Sequence, residues 1–355
     1  MEENQDIFGM LELMLRPGFC VKENKIEKVN AAAQYLPLVP GDDIRSLLLT
    51  GQEEYAAFDG GCLYLTLSLP PRSCGASVTR VDGWDIFVLD PESDDGPLQA
   101  LALAARTLRE PLSSVMIAAN RLLPLVDQEA PHAGEQTAQL NRSLHQILRV
   151  LGNMSDAGRY ASGIRQETRD LGKLFSEILE KAQALLESAG VTLTYQGPSE
   201  PILGLADEEQ LERAILNLLS NAVKFSPKGY AITASLTRHG RMLYFRVQDG
   251  GSGMPESVLS SVFSRYLRQP SLEDSRYGLG LGMVLVRSAA ANHGGAVLID
   301  QPGGQGVRIT MTLAIRQSTD GTLRSPVLRP DYAGGRDHAL IELSDCLPLS
   351  AYEQE

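Results

Sequence analysis

The chain of 355 residues is predicted to be an α+β multidomain protein, and three patterns carry that expectation. Between residues 18 and 90, short apolar runs alternate with Gly, Asn and Asp turn signals, as in a small antiparallel sheet. From Leu101 to Val126, apolar residues recur in a 4-3 alternation, the period of a helical seam. Beyond Lys173, helical and strand-like periods interleave in the order of a layered α/β sandwich.

Length allows two or three domains of about 100–200 residues each. An apolar fraction of 43% is enough to build their cores. No run approaches the ~20 apolar residues that span a bilayer, and the start MEENQD lacks a basic-then-apolar leader pattern. The expectation is a soluble, cytoplasmic chain without a membrane span. A net charge of −12 and the absence of a Lys/Arg block argue against a nucleic-acid surface. Cys20, Cys62, Cys74 and Cys346 show no C-x-x-C spacing and read as reduced thiols.

The N-terminal elements come first. Residues 6–15 predict a short helix ended by Pro17-Gly18. Phe19–Lys22 and Ile26–Val29 predict strands around Asn24-Lys25, and Asn30 is a candidate cap for the alanines behind it. Extended runs follow at Tyr55–Phe58, Cys62–Leu69 and Ala76–Leu89, the last folded over at Asp82-Gly83. The acidic stretch 90–97 closes this unit.

Next comes the helical seam. Leu101, Ala105, Leu108, Leu112, Val115, Ala119, Leu122 and Val126 line one heptad face, and Leu140, Leu144, Ile147, Leu151 and Met154 line a second. Two such helices joined by a short loop predict an antiparallel hairpin that buries its seam against a second copy, a four-helix bundle in a homodimer.

The richest stretch runs from Leu211 to Gly295. Asn217 and Asn221 are four apart in a helix whose buried side is Leu211, Ile215, Leu218 and Leu219, so their amides share a face with Lys224. An amide oxygen suits a hard cation and an ammonium suits phosphate, a combination that fits Mg-nucleotide. Asp249 lies at the end of the strand pattern Leu243–Val247, followed by glycines that admit a flat ligand. Gly278, Gly280 and Gly282 precede a helical run, where backbone N–H groups can approach phosphate.

Together these segments resemble the nucleotide-binding domain of sensor histidine kinases, within the ATPase superfamily that includes Hsp90, type II topoisomerases and MutL. The resemblance covers an N box (Asn217, Asn221, Lys224), a first glycine box (Asp249, Gly251, Gly253), an aromatic box (Phe263, Tyr266) and a second glycine box (Gly278, Gly280, Gly282). Gly250 stands where the family usually has Asn. The resemblance implies ATP and Mg2+ as ligands, with Asn221 on the metal, Asn217 supporting it, Lys224 near phosphate and Asp249 on adenine. Residues 254–277 would form the lid, with Arg265, Arg268 and Arg276 facing phosphate.

GFCVKENKIEKVNAAAQYL is similar to the opening of a PAS domain, and Arg109-Glu110-Pro111-Leu112 matches the R-x-P-L signature of the kinase phosphoacceptor hairpin. By that register the acceptor histidine is replaced by Arg106 and the following acid by Thr107. Arg stays protonated and cannot attack a γ-phosphate as imidazole does. Glu110 replaces a small polar residue of the family. Among the five histidines, His145 is the best placed substitute, although it lacks an adjacent carboxylate.

The resulting division is a PAS-like sensor domain at 1–90, a linker at 91–97, a degenerate phosphoacceptor hairpin at 98–160, an ATP-binding domain at 161–316 and a tail at 317–355. The apolar tail segment HALIELSDCLPL either covers its own domain or binds a partner. The functional expectation is a two-component histidine-kinase homologue, a transferase if active and a pseudokinase if not, working with a response regulator or another histidine kinase. The alternative is a non-catalytic, ATP-binding dimeric scaffold.

Overall fold

The computed structural model describes residues 2–90, 95–129, 134–159, 166–227, 229, 231–259, 262–263, 281–304, 306–317 and 336–353. In chain order, α1 (Glu2–Leu13) leads into β1 (Gly18–Lys22) and β2 (Lys25–Val29). After short 3-10 turns come α2 (Gln52–Ala56), β3 (Cys62–Leu69), β4 (Arg72–Val81) and β5 (Trp84–Asp90). Asn30 caps the first of those turns, its Oδ1 accepting from Ala33 N at 3.0 Å. The Asp82-Gly83 turn falls where the sequence places it, pairing Val81 with Trp84.

Tyr55 lies in a helix rather than in the extended run expected at 55–58. Gly51, at φ +76°, turns the chain into α2, and Glu53 and Glu54 occupy its first turn, where carboxylates favour helix. This aims the Tyr55 hydroxyl at Asp85 Oδ2, 2.8 Å away, which Arg80 also holds.

Two long helices follow, α3 (Asp95–Glu129) and α4 (Gly134–Arg159). The helix starts inside the stretch read as a linker, because Gly96 and Pro97 fall in its first turn, where proline needs no N–H partner. The apolar seam divides between two faces. Met116 packs on Leu144 and Leu148 of α4 with Leu112 and Ala119 beside it, while Leu108, Val115 and Leu122 are more than half exposed. The side chain of Val126 lies outside the described residues.

The remainder comprises β6 (Glu167–Asp170), α5 (Leu171–Ser188), β7 (Thr192–Gln196), β8 (Leu203–Ala206), α6 (Glu208–Phe225), β9 (Ala231–His239) and β10 (Met242–Gln248). After these come α7 (Glu256–Leu259), α8 (Leu281–Asn292), β11 (Val297–Asp300), β12 (Arg308–Ala314) and α9 (His338–Glu342). Helices α5, α6 and α8 bury Phe175, Ile215, Leu218 and Val286 against Phe245, Ile299 and Met311 of the strands, the layering expected of a sandwich.

The N-terminal strands and those of the C-terminal half join edge to edge, and β6 and β8 form a separate pair. The order β2-β1-β5-β4-β3-β11-β12-β10-β9-β7 is one ten-stranded sheet, with β3 antiparallel to β11 through Tyr64–Val297, Leu63–Leu298 and Cys62–Ile299. Backbone pairing hides an edge from each half. No described helix is long and apolar enough to cross a membrane.

Candidate functional site

Helix α6 starts on Asp207, whose Oδ1 accepts from Gln210 N at 3.2 Å. Its entry is tied to the end of α8 by His293: Nε2 accepts from Asp207 N at 3.0 Å, and Nδ1 donates to Ala289 O at 2.7 Å. Burial lowers the pKa of this ring and keeps it neutral, so it serves as a brace. With Leu211, Ile215, Leu218 and Ala222 turned into the core, α6 presents Arg213, Asn217, Asn221 and Lys224 along one side.

Each of those polar residues has a defined setting. Asn217 is 1% exposed; its Nδ2 donates to Arg213 O at 2.8 Å and to Glu342 Oε2 at 3.4 Å. Its Oδ1 lies under Gly282, where a Cβ would come within 2.8 Å, so only glycine lets the first turn of α8 sit there. Asn221 donates through Nδ2 to Met283 Sδ at 3.7 Å. Lys224 pairs with Asp345 of the C-terminal segment.

Opposite the end of α6, Asp249 follows β10. Its Oδ1 accepts from Gly251 N at 2.8 Å and from Val307 N at 3.1 Å. Burial raises its pKa, and the two N–H groups offset part of that rise. Gly251 has no room for a side chain, since a Cβ would lie 2.6 Å from Phe225 O. That contact brings the end of the N-box helix onto the first glycine box. Gly253 adopts φ +83° beside Gln301, whose amide bonds both Met254 N and Met254 O.

Phe263 is buried against the Tyr64 ring at 5.4 Å, and its carbonyl accepts from Arg287 Nη1 at 2.7 Å. Tyr266, Gly278, Gly280 and the arginines 265, 268 and 276 lie outside the described residues. Of the predicted residues, the structure therefore gathers Asn217, Asn221, Lys224 and Gly282 on one side, and Asp249, Gly251 and Gly253 on the other.

In the hairpin, Arg106 is exposed on α3. His145 is 1% exposed, with Nδ1 2.7 Å from Asn141 O and its ring 5.1 Å from that of Tyr352. The C-terminal segment covers this ring, so the best placed substitute histidine is buried. Sequence reasoning also missed Gln301, Val307, Arg149, Glu342 and Asp345. The only signal for the last two was the acidic character of an otherwise apolar tail.

Residues 206–317 match the family described as histidine kinase-, DNA gyrase B- and HSP90-like ATPase. The adaptive-response sensory kinase SasA of Crocosphaera subtropica is 31% identical over 227 residues, covering 61% of this chain and 59% of the relative. Its namesake from Synechocystis sp. is 29% identical over 230 residues, with the same two coverages. The chain thus spans less than two thirds of the length of these relatives. A solved structure of full-length ShkA in complex with AMPPNP is 22% identical, with a TM-score of 0.49 over 62% of this chain and 46% of its own. The ATPase match falls on the N-box helix and the Asp249 loop, so residues 206–317 belong to that ATPase family, and the chain is similar to sensory histidine kinases over 61% of its length.

Proposed function

We propose that the chain binds Mg-ATP through its kinase-type ATPase domain and uses it to act on a partner rather than on its own hairpin. The observation that carries this reading is the setting of Asp249. Both backbone donors fall on Oδ1, so an adenine amine would meet Oδ2. Lys224 would meet phosphate, and Asn221 Oδ1 would enter the metal shell with Asn217 holding the helix face in place. Magnesium keeps several waters and is commonly bound through one or two protein groups plus phosphate oxygens. Among the described residues no group of three His, Cys, Asp or Glu forms a separate metal cage.

Two copies would pair through Leu108, Val115, Leu122, Leu140 and Ile147, which are among the exposed apolar residues of the hairpin. In that dimer the register position of the phosphoacceptor is Arg106, whose guanidinium cannot serve as nucleophile. A response regulator or a second, complete histidine kinase is then the target, reached by phosphorylation in trans or by ATP-dependent conformation.

The burial of His145 favours a second reading, a dimeric scaffold that holds ATP as a structural ligand. Incubation with γ-labelled Mg-ATP followed by mass mapping separates the two. Phosphate release abolished by Asn221→Ala supports the first, and binding without turnover supports the second. Label on a histidine of the chain would overturn both.

A further inference from the structure

We infer that the C-terminal segment 337–353 competes with nucleotide for Lys224 and, through the same carboxylate, couples nucleotide binding to the seating of the hairpin on the ATPase domain. The inference rests on the nucleotide-site reading above.

The segment is built into the molecule. Asp337 caps α9 through bonds to Ala339 N and Leu340 N, and Leu340, Ile341, Leu343, Leu347 and Tyr352 are buried. Tyr352 closes the segment on itself, its hydroxyl donating to Leu340 O at 3.0 Å. On the other side α4 holds it by main-chain contacts: Arg142 Nε donates to Ser344 O at 3.2 Å, and Asn141 Nδ2 to Tyr352 O at 3.3 Å.

Its two carboxylates meet the N-box helix and the hairpin together. Asp345 pairs with Lys224 of α6 and with Arg149 of α4. Glu342, with no solvent exposure, lies 3.2 Å from Arg213 Nη2, 3.5 Å from Arg149 Nε and 3.4 Å from Asn217 Nδ2. Arg149 also donates to Ser220 Oγ at 3.0 Å, and Arg213 pairs with Asp156 of α4 at 2.9 Å. The tail therefore shares Arg149, Arg213 and Lys224 at the junction of α4 and α6.

Glu342 is held by two buried arginines and by Asn217, and stays. Asp345 differs, because its side chain is one-third exposed and one of its partners is the ammonium that would receive phosphate. A triphosphate arriving there brings like charge against the carboxylate. Releasing Asp345 from Lys224 weakens its hold on Arg149, and with it one of the ties between α4 and α6. By reciprocity, whatever pulls the hairpin away from α6 raises the affinity for nucleotide.

Calorimetric titration of the full chain with Mg-ATP, unmodified and as Asp345→Asn, tests this. Asparagine keeps the shape and an acceptor oxygen but removes the charge. The expected result is about fivefold tighter binding, the scale of one partly exposed ion pair. Equal or weaker binding overturns the tail's role while leaving the nucleotide site intact, and no heat with either chain overturns the nucleotide site itself. Hydrogen exchange on the unmodified chain needs no variant: saturating Mg-ATP should speed exchange of the amides of 338–352, and unchanged or slower exchange overturns the coupling.

Discussion

The guanidinium of Arg287, on α8, pairs with the carboxylate of Asp90, the last residue of β5. Its ring partner is Tyr64 of β3, 4.9 Å away, and its third contact is the carbonyl of Phe263. One side chain thus fastens the N-terminal sheet, α8 and the aromatic box. The pair is buried, with side-chain exposures of 2% and 10%. Removing one partner of a buried pair costs up to about 3–5 kcal/mol, and Arg16, which also pairs with Asp90, keeps the loss below that ceiling.

Arg287→Ala should therefore unfold at a clearly lower temperature, with a stability loss below that ceiling. A second readout locates the damage. Exchange at Leu298 and Ile299, in the strand that meets β3, should quicken more than exchange in β9, on the far side of the ATPase sheet. Uniform quickening would mean that the junction has no identity of its own.

Asp249 predicts a pH dependence. Its carboxyl titrates above the usual range because burial raises the pKa. An acid whose folded pKa is raised binds its proton more readily folded than unfolded, so this residue subtracts stability as pH climbs past its unfolded value. The proposed contact with adenine needs the ionised form, so Mg-ATP affinity should fall on acidification in a step above ~pH 4, where an ordinary aspartate titrates. Asp249→Asn should lack that step and bind about ten- to a hundredfold more weakly at neutral pH, as expected for losing a charged hydrogen-bond acceptor.

How far the sequence carried these conclusions depends on the range of each interaction. The N-box helix was legible because Asn217, Asn221 and Lys224 lie on one helical face over a clean apolar period. Asp249 was legible because a strand and three glycines flank it. The heptad seam was legible as a pattern, yet nothing local tells Met116, which faces α4, from Val115, which faces outward. Tyr55 was misread because its helix is set by the left-handed Gly51, which an apolar run does not reveal. The β3–β11 junction and the bonds from Glu342 and Asp345 to Arg149, Arg213 and Lys224 join residues far apart in the chain, and no periodicity records such partners.

The exposed face of the hairpin makes a direct prediction about assembly. Leu108, Val115 and Leu122 are spaced by seven, so they form a stripe along α3. A charge placed in it should be tolerated by the single chain, whose own seam runs through Leu112 and Met116 instead. Light scattering should give the mass of two chains for the unmodified protein and of one for the double variant Val115→Glu, Leu122→Glu. Unfolding temperatures at low concentration should stay close, since the substitutions face solvent in the separate chain. A single-chain mass for the unmodified protein would end the dimer reading.

Gly282 offers the narrowest test of the nucleotide site. A methyl group there would come within 2.8 Å of Asn217 Oδ1, and that amide is pinned from behind by Arg213 O and Glu342. Asn217 has nowhere to retreat, so α8 must lift at its first turn. Overpacking of this kind costs about 1–3 kcal/mol. Because Met283 contacts Asn221, the same lift displaces the residue that would face the metal. Gly282→Ala should lose that much stability and also weaken Mg-ATP more than it weakens metal-free ATP. Equal losses with and without magnesium would place the metal contact elsewhere than Asn221.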